Sequence, residues 1–66
     1  MTLTDLINLI TPGTNIEIVV YDIDEIGLPV LEVLYQGIAL YYPRDFDTCE
    51  VVSIDPLKNG TLRIIL

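Results

Sequence analysis

"NIEIVVYD", residues 15–22, sets Ile16, Ile18 and Val20 at alternate positions with Glu17, Val19 and Tyr21 between them. A period of two in β-branched and aromatic side chains predicts a strand, and everything else in the chain has to be arranged around it. The next residues, "DIDEIG" at 22–27, pose a choice between a calcium loop and a turn. An EF-hand loop needs oxygen ligands at positions 1, 3, 5, 7 and 9 and a bidentate glutamate at 12. Counted from Asp22, the fifth, ninth and twelfth positions are Ile26, Val30 and Val33, and Pro29 stands at the eighth. A solvated connection between strands is the better reading, and no specific calcium site is expected.

Downstream, "VLEVLY" (30–35) predicts a second strand, and Gln36-Gly37 a turn or bulge. "IALYY" (38–42) then reads as a third strand or a bent extension of the second. "PRDFDT" (43–48) is a polar connection with room for one helical turn, and its Phe46 is expected to tuck back onto the core. Residues 49–54 and 61–66 read as a closing hairpin around "DPLKNG", with Asn59-Gly60 as the turn signal. Upstream, Leu3, Leu6, Ile7 and Ile10 follow the i, i+3, i+4, i+7 pattern of a helix over residues 2–10, with Thr2 as N-cap and Asp5 at N3. So short a helix holds only by packing on the sheet. The predicted fold class is therefore α+β. One short N-terminal helix packs on a four- to five-stranded, mainly antiparallel sheet, in a single domain over residues 1–66, with short connections favouring antiparallel neighbours.

The residue inventory excludes much chemistry. Histidine is absent, so a Ser-His or Cys-His nucleophile has no base. No glycine-rich phosphate loop occurs among four scattered glycines. A single cysteine, Cys49, with no histidine leaves a structural zinc site without its usual ligands, and Cys49 itself reads as a half-buried strand residue. The sequence thus predicts no catalytic residues, no metal, no cofactor and no small-molecule substrate. Uncharged stretches such as Leu6 to Ile16 and Val33 to Pro43 fall short of the ~18 residues a membrane span needs. No basic residue precedes Arg44, so no signal peptide is expected and the reading is cytoplasmic.

Ten acids against Arg44, Lys58 and Arg63 give a net charge of −7, which opposes binding to nucleic acid or anionic membranes. The acids fall partly into two connections, Asp22, Asp24 and Glu25 in one and Asp45, Asp47 and Glu50 in the other. Two acidic loops serve solubility, or they imitate the phosphate spacing of DNA and occupy a nucleic-acid-binding enzyme.

The segment "CEVVSIDPLKNGTLRIIL", after "LYQG" and "LYYPRDFD", resembles the closing hairpin of small acidic proteins of unknown function encoded by phages and mobile elements of Gram-positive gut bacteria. The resemblance rests on the turn and its flanking apolar alternation, spans the last part of the chain, and transfers no catalytic or binding residue. It implies a phage-like or accessory intracellular setting.

Both sheet faces look apolar. Strict alternation puts Ile16, Ile18, Val20, Leu31, Val33, Tyr35, Val51, Leu62, Ile64 and Leu66 on one face, and Val19, Tyr21, Val30, Leu34, Val52, Ile54 and Ile65 on the other. One short helix covers one face at most, so the second is expected to meet protein. Val19, Tyr21, Leu34, Val52, Ile54 and Ile65 are the candidate binding residues. The expected partner is another copy, as a homodimer packed sheet on sheet or edge to edge, or a different protein. The expected function is a non-catalytic, self-associating protein-binding module; inhibition of a host enzyme by nucleic-acid mimicry is the alternative.

Overall fold

The computed structural model describes residues 1–66 as an α+β arrangement of one short helix and a four-stranded mixed sheet. Helix α1 spans Leu3–Ile7, and the strands are β1 (Asn15–Ile23), β2 (Pro29–Ile38), β3 (Ser53–Pro56) and β4 (Leu62–Ile65). The sheet order is β2-β1-β4-β3. The β1–β2 and β3–β4 pairs are antiparallel, but β1 and β4 in the centre are parallel. Two of the three pairings are thus antiparallel, in keeping with a mainly antiparallel sheet, and the central pair makes the sheet mixed. The hairpins are as short as predicted, yet the segment between β2 and β3 crosses the whole sheet and carries the chain back along it to the level of Val19 and Val33, where β3 starts. That reversal sets β4 beside β1 in the same direction.

The crossover replaces a predicted strand. Beyond Gly37, β2 runs one residue further to Ile38, and Ala39–Tyr41 then forms a 3₁₀ turn instead of a third strand. At Gly37 the Tyr35 hydroxyl arches over the backbone to donate to the Ile38 carbonyl at 2.7 Å. A Cβ on Gly37 would stand 2.7 Å from that hydroxyl oxygen, so any larger residue here has to displace the Tyr35 hydroxyl. A second 3₁₀ turn, Arg44–Phe46, is the helical turn expected in "PRDFDT", and Phe46 packs on the core. Cys49 to Val52 belong to the end of the crossover rather than to β3. The Cys49 carbonyl accepts from the Leu3 amide, and Val51 N–H donates to Met1.

Helix α1 keeps the predicted N-terminal cap. The Thr2 hydroxyl accepts from the Asp5 amide, and the Asp5 carboxylate accepts from the Thr2 amide. It is shorter than residues 2–10, because after Asn8 the bonds tighten to Leu9 N–H on Leu6 and Ile10 N–H on Ile7. Leu3 and Leu6 enter a core with Ile16, Ile18, Ala39, Tyr42 and Ile64. Helix and crossover together cover this one face of the sheet.

The face assignment also changes. Ile18 opposes Tyr35 but Val19 opposes Val33, so Leu34 is an extra residue in β2, a bulge. Leu34 and Tyr35 consequently both pack against the core, while Leu31 and Val33 move to the face of Val19. Ile54 changes sides as well. It pairs with Ile64, which pairs with Ile18, so Ile54 belongs with the core-facing residues.

Candidate protein-interaction surface

The second face is read off the cross-strand pairs, because directly opposed residues share a face. One row runs Gln36, Glu17, Arg63, Asp55 and the next Val33, Val19, Ile65, Ser53. Within the first row the Arg63 Nε donates to Glu17 Oε1 at 2.9 Å, and Glu17 is 8% exposed. Two central strands supply this partly buried ion pair, which was invisible in the sequence while β1 and β4 were not known to be neighbours.

Beyond Val19, β1 has no β4 partner and continues with β2 alone as a two-stranded arm. The arm accounts for the elongated shape, 39 Å long and 17 Å thick. On the face of Val19 it carries Tyr21 opposite Leu31 and Ile23 opposite Pro29; on the reverse it carries Val20 opposite Glu32 and Asp22 opposite Val30. One side of the arm is thus uninterruptedly apolar and the other is half acidic. Tyr21, Ile23 and Val33 are each more than half exposed, as are Ile26 and Leu28 at the tip.

The tip is a turn locked by Asp24. Its carboxylate accepts from the Ile26 amide at 3.0 Å and the Leu28 amide at 2.8 Å, and Gly27 takes φ +85°, a left-handed conformation natural to glycine. Asp22, though exposed, likewise bonds its own backbone, accepting from the Ile23 amide. The Asp22 and Asp24 carboxylates therefore act on their own backbone.

Of the residues expected to bind protein, Tyr21 is on the apolar side of the arm. Val19 and Ile65 form its buried base. Leu34 and Ile54 are turned to the core side, and Val52, 73% exposed, precedes β3. Ile23, Leu31 and Val33 were missed, since only the bulge brings the latter two to this face.

The acidic residues do not form one strip. Asp22, Asp24 and Glu25 sit at the arm tip, whereas Asp45, Asp47 and Glu50 lie along the crossover on the body. Glu50 pairs with the Met1 amino group at 3.1 Å. Asp47 accepts from the Tyr42 hydroxyl, a bond that holds the Asp47 carboxyl below its ordinary range, and the same hydroxyl accepts from Arg44 Nη1 at 2.8 Å. A groove of about 280 Å³ opens between the end of α1 and the first 3₁₀ turn, with Ile7, Ile10, Pro12 and Leu40 in its wall and Arg44 at its rim. No helix is long and apolar enough to cross a membrane.

No protein-family model matches the chain, and comparison with curated proteins and with solved structures found no match.

Proposed function

We propose that the chain is a non-catalytic, acidic protein-binding module of accessory or phage type that acts in the cytoplasm. The observation that carries this is the arm, whose exposed Tyr21, Ile23 and Val33 form a continuous apolar surface with Leu31. Contiguous apolar surface of a few hundred Å² on a small protein marks a contact site. Nucleic-acid mimicry needs a continuous series of free carboxylates. The separation of the two acidic groups, and the engagement of Asp24, Asp47 and Glu50 in internal bonds, favour protein binding instead.

The test is comparative capture. The immobilised chain and its Val33→Lys variant are exposed to the soluble proteins of the source cells and to a differently tagged copy of the chain. The reading expects at least one protein, a second copy included, that is held by the wild type and lost with the variant. Identical sets of retained proteins would refute it.

A further inference from the structure

We infer that the apolar face of the arm is covered by a second copy of the chain, packed sheet on sheet across a two-fold axis. The inference rests on the protein-binding reading and names its partner and geometry.

Charge is the first argument. At −7 the chain should repel itself, and a dimer is tenable only if the acids stay away from the contact. The arm achieves this, because Asp22 and Glu32 project from the face opposite Tyr21, Leu31 and Val33. At the base of the apolar face Glu17 is neutralised by Arg63. A surface without unpaired charge at its centre meets its own image without like-charge repulsion, as an isologous contact requires. A cationic partner would be drawn to the reverse, acidic side instead.

The edges supply the second argument. Edge-to-edge pairing is opposed by the devices that guard strands. β3 is four residues long and ends in Asp55 and Pro56. β2 begins at Pro29, carries Glu32 and is bent by the bulge at Leu34. On the free edge of β1, the Ile23 amide is occupied by the Asp22 carboxylate. The face is open where the edges are closed.

Area is the third. Tyr21, Ile23, Leu31 and Val33 with the tip residues offer roughly 500 Å² per copy, so a dimer buries about 1,000 Å² in total, the lower limit for a specific interface. A reversible dimer follows, not an obligate one. Burial would also support the arm, since a two-stranded hairpin is marginal by itself.

Sedimentation velocity between about 1 and 300 μM, supported by light scattering, tests this on the wild type, Val33→Lys and Val30→Lys. Val33 and Val30 are 51% and 43% exposed on opposite faces of the arm, so neither variant should unfold, and circular dichroism checks that they do not. The expected result is a concentration-dependent monomer–dimer equilibrium in the wild type. Val33→Lys should weaken it at least ~10-fold, while Val30→Lys should stay within ~3-fold. A wild type that is monomeric throughout, or a dimer broken by Val30→Lys and spared by Val33→Lys, overturns the inference. If that monomer still captures a different protein in a Val33-dependent way, self-association fails alone; if it captures none, the protein-binding reading fails with it.

Discussion

From Ile16 to Val19, β1 has β4 on one side and β2 on the other, and every side chain is buried; from Tyr21 to Ile23 it has β2 alone, and every side chain is exposed. Ile18 and Ile23 are the same residue type on the same strand, yet one is 0% and the other 71% exposed. Hydrophobicity does not separate them. The difference lies in the number of strand neighbours and in the covering layer, α1 and the crossover, which packs on Ile16 and Ile18. The body is a folded core by itself, and the arm is an apolar surface presented on a stalk.

The largest expected effect comes from exploiting that contrast with one substitution type. Ile18→Ala removes a fully enclosed side chain and should cost ~2–5 kcal/mol, enough to threaten a fold of this size. Ile23→Ala should stay within ~0.5 kcal/mol at micromolar concentration, where the arm is free. Urea unfolding of both variants checks this. Equal losses would mean that the arm is packed against something even in dilute solution, and the contrast would collapse.

A smaller effect lies at the border of the two regions, in the Glu17–Arg63 pair. Arg63→Met leaves a nearly buried carboxylate without its partner, and breaking such pairs costs ~3–5 kcal/mol when both groups are fully enclosed. The Arg63 side chain is 29% exposed, which places the expectation nearer ~2 kcal/mol. Combining it with Glu17→Gln should recover part of the loss, because no buried charge then remains unpaired. A double-mutant cycle from denaturation curves measures the coupling, and strictly additive losses would deny it.

The body and the arm were also unequally legible in sequence. The strand at residues 15–22, the Thr2/Asp5 cap, the turn at 24–28 and the anchoring of Phe46 each depend on local pattern, and each is in place. What local pattern does not encode is which strand lies beside which. The parallel β1–β4 contact depends on the path of the crossover, a matter of tertiary packing, and with it went the Glu17–Arg63 pair. The bulge at Leu34 had a similar effect. "VLEVLY" carries no mark of a bulge as text, but one unpaired residue exchanges the faces of everything before it, so Leu31 and Val33 were placed on the face of Ile18 and Leu34 on that of Val19. Sequence reasoning found that an apolar face existed and misassigned part of its membership, in β2 through this bulge and in β3 through the unforeseen register of Ile54 with Ile64.

Asp24 offers a sharper test of the arm's independence. Asp24→Ala removes the acceptor of the Ile26 and Leu28 amides, both exposed and able to bond water instead, so the loss should be about 1 kcal/mol or less. The loss should be local. Hydrogen exchange in residues 20–33 should quicken while amides of β4 keep their protection, since the arm opens without the body. Uniform acceleration across the sheet would show that arm and body unfold as one unit.

The smallest expected effect belongs to the body's far side, where the crossover is tied down by Tyr42, Asp47 and Arg44. The Tyr42 hydroxyl, donating to the Asp47 carboxylate, is the main cause holding that carboxyl below its ordinary value of 3.8; the Arg44 charge adds to it and partial desolvation opposes it. A carboxyl whose pKa falls on folding stabilises the folded state in its ionised form. That contribution is fully present above the unfolded value, near 3.8, and disappears as the pH falls through the lower folded value. Asp47→Asn should therefore lower the urea midpoint at about pH 6 and make less difference at about pH 2.5, below the unfolded value, where the wild type has begun to lose the same advantage. Solvent around Asp47 keeps the effect modest. Tyr42→Phe removes the donor, so adding Asp47→Asn to it should show little of that pH dependence. A deficit for Asp47→Asn that is the same at both pH values would mean that the Tyr42 bond does not discriminate between the two protonation states, and that the crossover is held by packing of Tyr42 alone.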